Sequence, residues 1–229
     1  AEAFRAFRTN LQFLKVEGNP RSFVLTSAGP AEGKSTTAAN LAIAIAQAGS
    51  TVCLVDGDLR KPRVADLMGV EGAVGVTDIL IGRVTLAEAL QGWGQPNLVV
   101  LPAGHRPPNP SELLGSQEMG DLISNLKAQF DYVIVDAPPV LVVTDAALIA
   151  KDVGGALMVT AVGEARKDAL GDALGTMERI DARVLGIVMT KVPTKGDDSY
   201  VYYGSTYYGS PAHEMVAQSR KGTGARWRK

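Results

Sequence analysis

The sequence predicts an α/β fold with a mostly parallel central sheet and helices on both faces. Three observations predict it. Short apolar strands alternate with helices, the pattern of right-handed βαβ units. Several of those strands are apolar at every position, as a sheet covered on both faces requires. The residues with chemistry to offer, the loop from Ser27 and the aspartates at 56, 58 and 136, fall at the carboxyl ends of strands, where such sheets bind ligands.

The elements follow in order. Glu2 to about Lys15 is an amphipathic helix, with Phe4, Phe7, Leu11 and Leu14 at helical spacing and Arg5 and Arg8 beside them. "SFVLTS" is the first strand and runs into a Gly-rich loop. "STTAANLAIAIAQAG" is a helix whose stop signal is Gly49. "TVCLVD" is the second strand. From Arg60 to about Gln95, Gly69, Gly72, Gly75 and Gly82 break the chain into short helices. "NLVVLPAG" is the third strand, and the Pro-rich "HRPPNPSELLG" leads into a helix ending near Phe130. "DYVIVDAPP" is the fourth strand. "GALMVTAV" and "VLGIVMT" are the fifth and sixth, joined by a helix through Glu178. After Val192 the periodicity stops, and residues 193 to about 211 are rich in Gly, Ser, Tyr and Asp, which predicts a flexible tail. "AHEMVAQSRK" has the pattern of a last short helix. The expected organisation is an N-terminal helix over 1–18, a nucleotide-binding domain over 19–192 and a tail over 193–229.

Composition narrows the function. With 46% hydrophobic and 21% charged residues, 229 residues suffice to bury a full core. No apolar run nears the ~18 residues of a membrane span, and no signal-peptide pattern opens the chain. The chain starts on the first helix without an initiator methionine, as a fragment of a longer protein would. Cys53, the single cysteine, lies in an apolar run and reads as a small buried hydrophobe in a reducing compartment. The net charge of −1 divides into −4 over the first 194 residues and +3 from Lys195 onward. An acidic body with scattered basic residues argues against a nucleic-acid partner. His105 and His213 have no ligand partners at metal spacing and read as surface residues, and Trp93 reads as packing.

The strongest chemical signal is "SAGPAEGKSTT". It follows a strand and opens a helix, the setting a phosphate-binding loop requires, and it makes the fold a P-loop NTPase. Backbone N–H groups of such a loop cradle phosphate oxygens, helped by the helix N-terminus. The expected nucleotide contacts are Gly29, Pro30, Ala31, Glu32, Gly33, Lys34, Ser35 and Thr36, with Lys34 neutralising the outer phosphates and Ser35 placing its hydroxyl on Mg²⁺. One departure is visible: Ala28 stands where the loop's first glycine is usual, with Gly29 next to it. Asp136, after "VIVD", fits a metal-holding aspartate. Asp56 and Asp58 project to the same side of an extended segment and can divide the work, one near the metal and one accepting a proton. The competing reading is that either one merely caps the helix or loop after it. Arg60 can stabilise its loop or touch phosphate.

The loop after strand one, Asp-x-Asp-x-Arg after strand two and Asp-x-Pro-Pro after "VIV" together resemble the bacterial tyrosine kinases. These are P-loop kinases of polysaccharide co-polymerase systems, related to partition and division ATPases. "EAFRAFR" is similar to the family's N-terminal Glu-x-x-Arg-x-x-Arg, which the resemblance assigns to ring-forming contacts through Glu2, Arg5 and Arg8. "PPNPSELL" resembles its Pro-rich segment. Five of the six tyrosines, Tyr200, Tyr202, Tyr203, Tyr207 and Tyr208, fall where the family carries autophosphorylation sites. Gly29 occupies the position of the partition ATPases' second lysine, which favours the kinase branch. Thr190 stands where relatives often have Asn near the adenine pocket.

The resemblance implies an ATP- and Mg²⁺-dependent protein-tyrosine autokinase. It would act in trans within a ring-like homo-oligomer and regulate capsular or exopolysaccharide synthesis and export. Asp56 would accept the tyrosine proton, and Ser35, Asp58 and Asp136 would position Mg²⁺. Implied partners are a membrane-spanning activator or co-polymerase region, in cis or in trans, and a protein-tyrosine phosphatase, with the chain at the inner face of the plasma membrane. Two rivals use the same loop: a partition- or division-type ATPase switch without kinase activity, and a regulatory module in which nucleotide only sets assembly.

Overall fold

The computed structural model describes residues 2–13 and 22–193. By packing, the chain divides into two units, Ala1–Lys191 and Val192–Lys229. The first holds every element described below. The tyrosine cluster, the expected last helix, His213 and Trp227 lie outside the described residues.

The first helix is α1 (Glu2–Phe13), then come β1 (Ser22–Ser27), α2 (Lys34–Ala46), β2 (Val52–Asp56), α3 (Val64–Met68), α4 (Val76–Leu80) and α5 (Leu86–Ala89). They are followed by β3 (Gln91–Trp93), β4 (Gln95–Leu101), α6 (Pro110–Leu114), α7 (Gln117–Gln129), β5 (Tyr132–Asp136), α8 (Asp145–Asp152), β6 (Ala156–Ala161), α9 (Lys167–Arg179) and β7 (Val184–Thr190). The strands form one sheet in the order β3-β4-β2-β5-β1-β6-β7. Only β3 runs antiparallel to its neighbour.

Alternation along the strands builds two cores. Phe23, Leu25, Val52, Leu54 and Ile134 point to the face carrying α1, α2 and α3, where they meet Leu11, Leu41, Ile45, Val64 and Met68. Val24, Cys53, Val55, Val133 and Val135 point to the other face, against Leu114 of α6, Ile123 of α7, Ile149 of α8 and Met177 of α9. Both faces are covered, which explains why the strands are apolar throughout. Cys53 is fully buried and burial pushes its thiol pKa up, so it is an inert core residue.

Helix α2 is buried along much of its surface by small residues, Ala38, Ala39, Ala42, Ala44 and Ala46, which let it lie close to the sheet. Helix α7 is amphipathic: Met119, Leu122, Ile123 and Leu126 face the core, and Ser116 caps its start by accepting from the Met119 amide at 3.3 Å. In α1, Leu11 is buried and Phe4 and Phe7 pack on the same core as α2. Arg8 donates from Nη1 to the Ala44 carbonyl at 3.2 Å, whereas Glu2 and Arg5 are exposed. Trp93 is packing as expected, and its Nε1 donates to the Met68 carbonyl at 2.6 Å.

Two elements differ from the sequence expectation. Gln91–Trp93 is an antiparallel edge strand inside the stretch read as short helices, and three residues with an irregular register at Gly92/Trp93 show no periodicity. Helix α8 lies in a stretch for which the sequence reading gave no helix, directly after the Val-Leu-Val-Val run. No helix among the described residues is long and apolar enough to cross a membrane.

Candidate active site

The site is built where three adjacent strands end. β5 lies between β2 and β1, and in the β2–β5 register Asp56 stands opposite Asp136. Both continue the side of their strands that carries Leu54 and Ile134, so both carboxyl groups face the layer of α2. Helix α2 starts at Lys34, directly after Gly33, and Ala31 and Gly33 both have left-handed backbone (φ 63° and 90°). Alternation of this kind turns successive N–H groups inward and makes a concave anion site at a helix N-terminus.

Lys34 reaches back across this mouth. Its Nζ lies 3.4 Å from Asp58 Oδ2, 3.9 Å from Asp136 Oδ1 and 3.5 Å from Ser35 Oγ. The expected phosphate-binding lysine and the expected metal-holding residues Ser35, Asp58 and Asp136 are thus brought together. Asp58 is further fixed by the Lys61 amide, which donates to Oδ1 at 2.9 Å.

Asp136 is fully buried, and neither of its carboxyl oxygens has a hydrogen-bond partner in the protein. Burial pushes its pKa up to about 7; nearby Lys34 works against that, Asp56 and Asp58 add to it, and the Ser35 hydroxyl lowers it. Such orphaned carboxyl oxygens beside a serine hydroxyl and a second carboxylate are a donor set that fits Mg²⁺. Mg²⁺ takes one or two carboxylates and fills its remaining positions with water and phosphate oxygens.

Asp56 is placed differently. Its Oδ2 accepts from the Arg63 and Val64 amides at 3.0 and 2.9 Å, at the start of α3, and its Oδ1 accepts from the Asp58 amide at 3.2 Å. It therefore shapes the loop that carries Asp58, and one lone pair on Oδ1 stays free. Burial raises its pKa to about 6, the three amides pull it back, and the Asp58 charge adds to the rise. The residue between the two aspartates has to be small. A Cβ on Gly57 would stand 2.8 Å from Val135 Cγ1 and 3.0 Å from the Asp136 carbonyl, to which the Gly57 amide donates at 2.7 Å.

Arg60 stabilises structure here. Its Nε lies 2.8 Å from Asp145 Oδ2 and its Nη2 lies 2.8 Å from Ser111 Oγ, which in turn donates to Asp145 Oδ1 at 2.7 Å. This network ties the Asp56–Asp58 loop to the starts of α6 and α8. The sequence reading missed Asp145 and Ser111. The signal in the sequence was an acidic residue at the head of the apolar "DAALIA" run; its full burial and its cation 85 residues away are seen only in the structure.

Thr190, expected near the base, ends β7 beside the loop: its Oγ1 donates to the Glu32 carbonyl at 2.7 Å. Thr36 is exposed at the helix start. His105 is exposed, with Nδ1 3.2 Å from Asp78 Oδ1. Among the described residues no three His, Cys, Asp or Glu side chains cluster at metal-binding geometry.

Comparisons with known proteins agree with this geometry. Residues 29–168 match the AAA domain family. The chain is 38% identical to tyrosine-protein kinase YwqD of Bacillus subtilis (strain 168) over 205 residues, covering 90% of this chain and 86% of that protein. It is 34% identical to tyrosine-protein kinase Wzc of Salmonella typhimurium over 90% of its own length, which is 29% of the longer protein. The solved kinase domain of the Escherichia coli tyrosine kinase ETK superposes with a TM-score of 0.79 at 33% identity, covering 88% of this chain and 80% of that one. With a P-loop, paired strand-end aspartates and relatives of this identity over nearly all its length, the chain belongs to the bacterial tyrosine-protein kinases, enzymes built on the P-loop fold.

Proposed function

We propose that this kinase is an autokinase: it transfers the γ-phosphoryl group of ATP to tyrosines of its own C-terminal cluster, Tyr200, Tyr202, Tyr203, Tyr207 and Tyr208, on a neighbouring copy. The observation that carries the phosphoryl-transfer reading is the buried carboxyl of Asp136, which accepts no hydrogen bond and lies beside Lys34, Ser35 and Asp58. ATP would lie on residues 28–36, with Lys34 against its outer phosphates and Thr36 toward the inner one. Thr190 would meet the base through its oxygen lone pairs, since its proton is given to Glu32. Ser35, Asp58 and Asp136 would hold Mg²⁺, which would supply neutralisation of the phosphate charge.

The rest is done by the chain's own groups. The tyrosine oxygen forms the new bond to γ-phosphorus as the bond to the bridging β–γ oxygen breaks, and ADP leaves. The phenolic proton goes to Asp56 Oδ1, the atom with a free lone pair, on a carboxyl whose pKa of about 6 leaves it ionised near neutral pH. Phosphoryl transfer depends mainly on positioning and charge stabilisation, so a weak base is enough.

Glu2, Arg5 and Arg8 would contribute to the subunit contacts, and the exposure of Glu2 and Arg5 supports this for the first two. Each phosphate adds about −1.5 to −2 charges, so two of them cancel the tail's +3 balance and a third reverses it, which favours its release from an acidic neighbour. By family resemblance the activity serves capsular or exopolysaccharide export at the inner face of the plasma membrane. The partners there are a membrane-spanning activator, in cis or trans, and a protein-tyrosine phosphatase. Wzc extends well beyond the matched 29% of its length, which leaves room for a cis arrangement in that relative, whereas YwqD is covered to 86%.

The test is incubation with ATP and Mg²⁺ followed by mapping of phosphate by mass spectrometry. Phosphotyrosine within 200–208 is expected. ATP binding with phosphate release and no phosphotyrosine would instead select the partition-type ATPase switch.

A further inference from the structure

Glu32 is an acid inside a loop read as binding phosphate. It is 6% exposed, and both its carboxyl oxygens are used: Oε1 accepts from the Gly29 amide at 2.6 Å and Oε2 from the Ala161 amide at 3.2 Å. Its backbone carbonyl accepts from Thr190 Oγ1 at 2.7 Å. A negative charge here works against a triphosphate by Coulomb's law, so its presence calls for a compensating role.

The hydrogen bonds supply one. The loop between β1 and α2 has no strand or helix ladder of its own and includes left-handed backbone at Ala31 and Gly33. The Glu32 carboxyl closes the loop on itself through Gly29 and pins it to the last residue of β6. Thr190 adds a tie to the last residue of β7, and Ala161 and Thr190 are themselves register partners. Two strand ends that are not covalently continuous with the loop therefore hold its crest. The same bonds commit the Gly29 amide to the loop's own shape.

We propose that Glu32 is a positioning residue for nucleotide, holding the phosphate loop in its binding shape before phosphate arrives, with Thr190 as its second tether. This rests on the nucleotide-binding reading given above.

Two substitutions separate positioning from charge. Glu32→Gln keeps the size, removes the charge and can accept only one of the two amides, because its NH₂ group faces the other donor. Glu32→Ala loses both bonds. Binding of ADP and of ATP without Mg²⁺ is measured by titration calorimetry on the wild type and both variants, with near-UV circular dichroism to establish that each is folded. Loss of one charge-assisted bond predicts nucleotide affinity about tenfold weaker in Glu32→Gln, and weaker still in Glu32→Ala. In the phosphorylation assay KM for ATP should rise while kcat at saturating ATP holds. A residue that mattered only for folding would lower the melting temperature and leave affinity unchanged. One that acted only as a nearby charge would give tighter binding when neutralised. Equal or tighter binding by folded Glu32→Gln overturns the proposal, and this variant decides the matter where the Ala variant does not fold. Wild-type protein that binds no nucleotide overturns the nucleotide reading itself and this inference with it.

Discussion

Asp136→Asn should make the metal-free protein more stable at pH 8 and no more stable, or less, at pH 4. Asp136 is fully buried, and its pKa is raised from 3.8 to about 7, chiefly by burial. An acid with a raised pKa holds its proton in the folded state after the unfolded chain has released it. The wild type is therefore at full stability, as far as this group goes, below about pH 4. It loses stability as pH rises through about 7 and is level beyond that. The span from 3.8 to about 7, at about 1.36 kcal/mol for each pH unit, puts the cost of the ionised form at about 4 kcal/mol. Asparagine removes that cost but buries an amide with no partner, worth about 2 kcal/mol in the opposite direction. Lys34 keeps Asp58 as its counter-ion at 3.4 Å.

The expected net effect is about 2 kcal/mol of stabilisation at pH 8, changing to about 2 kcal/mol of destabilisation at pH 4. Asp56, raised to about 6, follows the same direction in both proteins and shifts the curve without changing its sign. Urea unfolding in EDTA at several pH values from 4 to 8 measures this directly. A stability gap that stays constant across that range would refute the assignment of Asp136 as a desolvated carboxyl. Added Mg²⁺ with nucleotide should stabilise the wild type at pH 8 more than the variant, which keeps the loop, Lys34, Ser35 and Asp58 but loses one carboxylate for the metal.

Three further outcomes are expected. Lys34→Ala removes the cation that faces Asp58 and Asp136 and should weaken ATP binding on the order of 10- to 100-fold by calorimetry, in the folded protein. Arg60→Ala leaves the fully buried Asp145 with Ser111 alone. Because Arg60 is more than a third exposed, the loss in urea unfolding should be about 2 kcal/mol, below the usual range for a fully buried pair. Gly75→Ala would put a Cβ 1.9 Å from the Pro102 carbonyl oxygen and should cost about 3 kcal/mol or more, whereas Gly92→Ala, with nothing within 4 Å, should stay within about 1 kcal/mol of the wild type in the same assay.

Much of this was legible in the sequence because the signals were local. β1 begins and ends where "SFVLTS" does, and β2, β5, β6 and β7 lie within the apolar runs that predicted them. Lys34, Asp58 and Asp136 could be assigned to one site because strand ends in a parallel sheet share an edge. What stayed hidden depends on distance. That β5 lies between β1 and β2 is a pairing across roughly a hundred residues, and no local pattern encodes it. The partner of Arg60 is likewise 85 residues away. The three amides on Asp56 depend on how the loop folds back at Arg63 and Val64, so spacing alone placed it beside Asp58 and could not separate their surroundings. Edge strand β3 was too short to show a period.

The strand order also governs when this enzyme can come into being. β1 pairs only with β5 and β6, so the strand leading into the phosphate loop has no partner until residue 132 has been made. β2 finds β4 earlier, but its aspartate meets Asp136 only when β5 inserts. During synthesis the N-terminal third of the chain carries the loop lysine and both Asp56 and Asp58 without a sheet to hold them in place. Pairings this distant in sequence form slowly, and unpaired apolar strands are exposed in the meantime. Nucleotide therefore cannot template the early stages of folding, and any chain cut short before Asp136 should be a liability to the cell rather than a weakened kinase.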